Sequence, residues 1–151
     1  MNIDLVSGSH AIGQSLYHLE FCPKYRYNAL RSEHLKTFLE QVFRKISEKY
    51  KIPILAMKVM NDHVHLFVDV PPKYSVSQIF QYFKGISAHE IFQNFPGFRL
   101  RYPKSHFWSP GKFYRSVGVV NPETVAKYIE NQVEVEQKIR SERQTTLEEF
   151  S

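Results

Sequence analysis

Residues 63–70 run His63-Val64-His65-Leu66-Phe67-Val68-Asp69-Val70, and their alternation decides how the rest of the chain is read. Strand side chains repeat every two residues, so Val64, Leu66, Val68 and Val70 share one face while His63, His65, Phe67 and Asp69 share the other. At a strand rise of roughly 3.3 Å per residue the two histidine Cα atoms lie about 6.6 Å apart, near enough for both rings to converge on one metal ion. Asp69 is a weaker ligand candidate, because four residues from His65 is roughly 13 Å along an extended strand. An isolated His-x-His also suits a half-exposed strand with two solvated imidazoles. The pair therefore takes its meaning from the segments around it.

Immediately upstream, ILAMKVM (54–60) reads as a strand, and Asn61-Asp62 as a tight connection that makes an antiparallel hairpin without the glycine of the strongest hairpin turns. Further back, Ser32 caps a predicted helix whose Leu35, Phe38, Leu39, Val42, Phe43 and Ile46 recur at three- and four-residue spacing, ending before Ile52-Pro53. Before that helix, Tyr17, Leu19 and Phe21 alternate with His18 and Glu20 in a first strand.

Downstream, Pro71-Pro72 closes the histidine strand. Ser75 and Gln78 then form a capping box for a helix carrying Val76, Ile79, Phe80, Phe83, Ile86 and Ile91, which Phe95-Pro96-Gly97 stops. Lys84, Gly85, Ser87 and His89 fall toward its polar side. Gly85 costs about 1 kcal/mol relative to Ala inside a helix and suggests close approach of another backbone. A fourth strand is expected near residues 107–117, broken near its start by Pro110. Asn121, Pro122 and Glu123 open a last helix, on which Tyr128 and Gln132, four residues apart, share a face.

The order strand, helix, strand, strand, helix, strand, helix matches, in its first six elements, the split βαβ pattern of ferredoxin-like and RRM-like domains. The fold class expected is α+β: an antiparallel βαββαβ sheet plus a C-terminal helix. Its first and third strands are central, and two helices cover one face. The aliphatic side of residues 63–70 should meet those helices, leaving His63 and His65, with His18 and Glu20, on an open face where the last helix can lie.

The chain has 151 residues, 42% hydrophobic and 15% aromatic, enough for one globular domain over 1–151 with a buried core. Residues 1–13 read as a flexible lead-in and 137–151 as a charged tail. A formal charge of +5 and a sequence pI near 9.3 lean toward a polyanionic partner. Cys22 stands alone, which excludes an intrachain disulfide and a cysteine-built zinc site. The opening residues lack a signal layout and no apolar run approaches the roughly twenty residues of a membrane span. A cytoplasmic protein with no membrane partner is expected. Gly111-Lys112 is followed by Phe113 and has His106 at the required glycine position, so there is no phosphate-binding loop and no nucleotide triphosphate partner.

Two stretches mix cations with rings. CPKYRYNAL (22–30) sets Lys24 and Arg26 among Tyr25 and Tyr27. Residues 99–115 interleave Arg99, Arg101, Lys104, Lys112 and Arg115 with Tyr102, Phe107, Trp108, Phe113 and Tyr114, with no acidic residue between. Such mixtures suit single-stranded nucleic acid, whose bases stack on rings while phosphates meet cations. A basic loop whose rings pack inward is the alternative. A tyrosine brought to a metal held by two histidines would be a sensible apparatus for breaking a phosphodiester, with the ion neutralising phosphate charge and the phenolate attacking phosphorus. Tyrosine has an ordinary pKa near 10, so it needs a base to take its proton, and no base is identified by the sequence.

Taken together, CPKYR (22–26), NDHVHLFVDV (61–70), FW (107–108) followed by SVG (116–118), and KYIENQ (127–132) resemble the single-tyrosine HUH transposases. These are the transposase A enzymes of small insertion sequences that move as single-stranded DNA. The resemblance spans Tyr17 to Gln132. It implies that His63 and His65 bind Mg²⁺ or Mn²⁺, that Gln132 adds a third ligand through its amide oxygen, and that Tyr128 is the nucleophile, giving a 5′-phosphotyrosine and a free 3′-OH. It further implies single-stranded DNA with hairpin ends as substrate, and a homodimer whose active sites are shared between subunits. Tyr27 and Asn28 stand where that family usually continues with basic residues after Lys24-Tyr25-Arg26. Two other readings stay open on sequence alone: the same nicking chemistry used in replication, conjugation or a domesticated host role, and a noncatalytic RRM-like nucleic-acid binder.

Overall fold

The computed structural model describes residues 15–117 together with Lys127 and Asn131; of Arg26 it describes the backbone. The order is β1 (Leu16–Phe21), a 3-10 turn (Lys24–Arg26), α1 (Glu33–Tyr50), β2 (Ile54–Val59), β3 (Val64–Asp69), α2 (Val76–Asn94), α3 (Phe98–Arg101) and β4 (Phe113–Ser116). The strands form one sheet in the order β2-β3-β1-β4, every neighbouring pair antiparallel. This is the expected α+β sheet with β1 and β3 at its centre. Lys127 and Asn131, in the predicted last helix, are both helical and exposed. Tyr128 and Gln132 lie outside the described residues, as do the predicted lead-in and tail.

Both long helices begin where their capping chemistry says. The Ser32 hydroxyl accepts from the Leu35 N–H at 3.3 Å, and Ser75 with Gln78 forms the reciprocal capping box, satisfying N–H groups that a helix start leaves without carbonyl partners. At the far end of α1, Lys51 takes a left-handed conformation and returns its N–H to the Ser47 carbonyl, ending the helix before Ile52-Pro53.

The core lies between these helices and one face of the sheet. Leu35, Leu39, Val42, Phe43 and Ile46 of α1, with Ile79, Phe80, Phe83 and Ile91 of α2, pack against Leu19, Phe21, Val64, Leu66 and Val68. The other face was expected to be open, yet it carries a second apolar cluster of Leu16, Leu55, Ala56, Met60 and Phe67, with Val117 against it. A register shift between Ile54 and Ala56 contributes: the irregularity lets Leu55 and Ala56 join the same cluster although they are consecutive.

Four local expectations change. Ser87, assigned to the polar side of α2, is fully buried because the Trp108 indole N–H donates to its hydroxyl at 2.9 Å; the hydroxyl in turn donates to the Phe83 carbonyl. A buried indole N–H needs such a partner. Tyr102, Phe107 and Trp108 are therefore core residues rather than rings offered to bases. Among the described residues, nothing outside its own helical surroundings lies within 4 Å of where a Cβ on Gly85 would stand, so no other described backbone closes on that glycine. β4 begins at Phe113, after Pro110, because proline cannot donate to a strand ladder.

Candidate active site

The two-residue turn Asn61-Asp62 is closed by the Met60 N–H donating to the His63 carbonyl at 2.8 Å. His63 therefore stands at the mouth of β3 rather than inside it, and His65 is the second residue of the strand. Opposite His65 on β1 lies Glu20, with His18 two residues along and opposite Phe67. Cross-strand partners share a face, so the register brings His18, Glu20 and His65 to one side of the sheet.

The side chains form a hydrogen-bonded row. Asp62 Oδ1 lies 2.8 Å from His63 Nδ1, His63 Nε2 lies 2.9 Å from His65 Nε2, and His65 Nδ1 lies 2.8 Å from His18 Nε2. The His18 ring stacks between His65 at 5.0 Å and Phe67 at 5.5 Å. His63 and His65 are each 1% exposed, which corrects the picture of solvated imidazoles. The His63 and His18 rings lie against the His65 ring, with centroids 4.7 and 5.0 Å away.

The donor set suits a divalent ion. Two ring nitrogens 2.9 Å apart are close enough that both could serve one divalent ion. His18, Glu20 and His65 also form a second possible set, with one ligand atom from each all within 4.8 Å of one another. Strand alternation puts His18 and Glu20 on this face without giving them a role, and Asp62 enters the sequence pattern only as a turn residue. Their signal was present: an aspartate directly before the first histidine, and alternation of His18 and Glu20 in β1.

The cationic residues divide among several places. Arg115 of β4 pairs with His18 and so shares the histidine face. Lys24 and the Tyr25–Tyr27 segment follow the end of β1 next to the start of β3, where the Leu30 N–H donates to the Asn61 carbonyl and Lys36 Nζ to its side chain. There Tyr25 and Tyr27 are 64% and 42% exposed, with Lys24 over one ring and Arg101 over the other at 5.3 and 5.4 Å. Tyr25 adopts φ 67°, a left-handed conformation a non-glycine residue rarely takes.

Arg99 and Lys104 are exposed on α3 and the turn after it, and Lys112 is exposed before β4, donating to Ser77 Oγ at 3.1 Å. A cleft of about 380 Å³ bordered by His89, Arg99 and His106 lies on the α2 side, apart from the histidine row. Lys84 is held differently. Its ammonium donates to the Ser109 and Gly111 carbonyls, tying down the loop into β4, and burial lowers its pKa from the ordinary lysine value.

Comparisons with known proteins agree with one another. The family model described as "Transposase IS200 like" matches residues 11–132. The transposase for insertion sequence element IS200 of Salmonella typhimurium is 32% identical over 131 residues, covering 87% of this chain and 85% of that protein. The ISDra2 transposase TnpA of Deinococcus radiodurans is 28% identical over 130 residues, covering 86% and 92%. A crystal structure from Deinococcus radiodurans R1, provisionally assigned as a transposase, matches with TM-score 0.65 at 26% identity over 85% of this chain and 98% of the other. A REP-associated tyrosine transposase solved with a bound REP hairpin shares the fold, at TM-score 0.53 and 14% identity over 79% and 64% of the two chains.

Proposed function

The chain belongs to the IS200-like transposase family, and we propose that it cuts and rejoins single-stranded DNA at the hairpin-containing ends of an insertion sequence, using Tyr128 as nucleophile. The observation that carries this reading is the buried His63–His65 pair, its Nε2 atoms 2.9 Å apart at the end of a turn whose aspartate holds the first ring. His63 and His65 hold Mg²⁺ or Mn²⁺, with the Gln132 amide oxygen as third ligand. The ion, when bound, neutralises charge on the scissile phosphate.

The rest of the chemistry belongs to the chain. The Tyr128 phenol gives up its proton and its oxygen attacks phosphorus; the Tyr128 O–P bond forms as the bond from phosphorus to the 3′ oxygen breaks, and that oxygen leaves as a 3′-OH after taking a proton. The energy of the broken ester is kept in the 5′-phosphotyrosine. A second 3′-OH reverses the step and joins strands, which needs no nucleotide triphosphate. Arg115, on the histidine face, is suited to a backbone phosphate. The exposed Tyr25 and Tyr27 with Lys24, Arg26 and Arg101 suit unpaired bases and their phosphates, and Arg99, Lys104 and Lys112 suit the hairpin duplex. Support for hairpin ends comes from the REP-associated fold neighbour, which binds one. The acting unit is a homodimer whose active sites are shared, Tyr128 of one subunit serving the histidine pair of the other.

The test is a denaturing gel of the protein mixed with single-stranded DNA carrying the ends of the element and Mg²⁺ or Mn²⁺. A covalent protein–DNA band that disappears in Tyr128→Phe is expected. Metal-independent binding with no cleavage of any end sequence would replace the reading with a noncatalytic nucleic-acid binder.

A further inference from the structure

We propose that His18 is a positioning residue: by accepting a hydrogen bond from the His65 Nδ1–H it sets the His65 tautomer whose Nε2 lone pair faces a metal ion beside His63. The inference rests on the metal reading above and extends it to a residue on a different strand.

A neutral imidazole carries one N–H and one lone pair. For His63 Nε2 and His65 Nε2 to face one ion together, both must present lone pairs, so each ring must carry its proton on Nδ1. His63 can do so because Asp62 Oδ1 lies 2.8 Å from that atom and a carboxylate accepts. His65 can do so if His18 Nε2, 2.8 Å away, also accepts, which places the His18 proton on its own Nδ1.

With all three rings neutral, the metal-free row takes the opposite polarity. With His63 donating to Asp62, the 2.9 Å contact between the two Nε2 atoms needs a proton on His65 Nε2, so His65 Nδ1 accepts from His18 Nε2–H. Ion entry therefore moves one proton from His18 Nε2 to His65 Nδ1. The His65 Nε2 proton departs to solvent as His18 Nδ1 gains one, and neither ring changes charge. His18 can play both parts because imidazole is donor and acceptor. Its ring is held for the task by stacking between His65 and Phe67 in a buried position.

The competing use of these side chains is a cation held by His18, Glu20 and His65, with His65 Nδ1, the nitrogen 2.8 Å from His18, as the donor on that side. That site and the His63–His65 site cannot both be filled unless His65 loses its last N–H to ligate through both nitrogens. A polar group supporting a metal-ligating histidine at its second nitrogen is the ordinary arrangement, and the His18 contact supplies it.

The experiment titrates Mn²⁺ into the full-length chain, following the loss of the free-ion electron paramagnetic resonance signal, for the natural protein and for His63→Ala, His18→Phe, His18→Gln and His18→Asn. The natural protein should bind one ion per chain, and His63→Ala should lose it. His18→Phe should weaken binding by about 10–100-fold. His18→Gln should restore it, because its amide oxygen can stand where Nε2 stands, while the shorter His18→Asn should behave like His18→Phe. The Gln–Asn contrast decides the matter even if His18→Phe does not fold. In His18→Asn, DNA cleavage should return when Mn²⁺ is raised by the same factor, as a loss of affinity requires.

Equal affinity in the natural protein, His18→Gln and His18→Asn overturns the positioning role. A stoichiometry of two ions falling to one in His18→Asn overturns it in favour of the second cation site. If the natural protein and His63→Ala bind Mn²⁺ alike, the metal reading of the His63–His65 pair fails, and the inference fails with it.

Discussion

On the helix side of the sheet, Phe21 meets the edges of Phe43, Phe80 and Trp108 at ring separations of 5.8, 6.4 and 4.8 Å. On the opposite side, His18, His63 and His65 meet through ring nitrogens 2.8 and 2.9 Å apart. Both sets are buried, and Phe21 and His18 leave opposite faces of the same central strand, β1. They differ in what specifies them. The apolar rings are held by volume and dispersion, which tolerate reorientation by any packing that fills the space. The imidazoles are held by directional bonds, each of which dictates where the next proton sits. The first arrangement yields stability; the second yields a site with defined lone pairs.

Exchanging the two kinds of loss tests that contrast most strongly. His65→Ala should take the covalent DNA adduct below detection while hairpin DNA binding, carried by cations outside the row, changes by a few-fold at most. Phe21→Ala should act in the other order, lowering unfolding free energy in urea by about 3–5 kcal/mol while the fraction still folded keeps its Mn²⁺ affinity. Equal loss of DNA binding and cleavage in His65→Ala would mean that the histidine face is part of the DNA grip and that the two faces are less separate than their chemistry suggests.

How far the sequence disclosed these faces depends on the range of the interaction. The strand alternation of β1 and β3 and both helix caps were legible, because each is settled within a few residues: Ser75 and Gln78 sit one helical turn apart. The doubled Leu55–Ala56 position was not, since the irregularity is a matter of how β2 pairs with β3. Ser87 looked polar because its partner, the Trp108 indole, is 21 residues away. His18 and His65 are 47 residues apart and meet through the β1–β3 register, so their bond could not be read from either strand. Of the proposed site, His63 and His65 were legible from their spacing and lie together in the structure. Tyr128 and Gln132, outside the described residues, rest on the family resemblance.

Tyr102 offers a milder probe of the helix side. Burial pushes its phenol from 10.0 up to about 12, chiefly by desolvation, with Arg101 acting in the opposite direction. The folded chain therefore keeps this proton at pH values where the unfolded chain releases it. Its contribution to stability is complete below pH 10 and is lost as pH rises from 10 to about 12. Urea unfolding at pH 9, 10 and 11 should show a decline in the natural protein that is shallower in Tyr102→Phe. That variant also loses the bond to the Lys24 carbonyl at 3.2 Å, at a cost of about 1 kcal/mol at neutral pH. A slope unchanged by the substitution would assign the alkaline loss to other groups.

The smallest expected effect on stability has the opposite sign and falls at Tyr25, where the two kinds of specification meet. Its φ of 67° costs a side chain roughly 1–2 kcal/mol that glycine escapes, against about 0.5–1 kcal/mol of extra backbone entropy that glycine loses on folding. Tyr25→Gly should therefore leave the fold unchanged or stabilise it by up to about 1.5 kcal/mol. An exposed ring kept in a strained turn beside Lys24 contributes little to the core, so its value lies in what it can stack on. The same variant should weaken single-stranded DNA binding by about 1–3 kcal/mol, the usual worth of one base–ring contact, measured by fluorescence anisotropy at fixed salt. A gain in stability with undiminished DNA affinity would remove Tyr25 from the interface; a loss of both would show that the ring belongs to the packed side of the molecule after all.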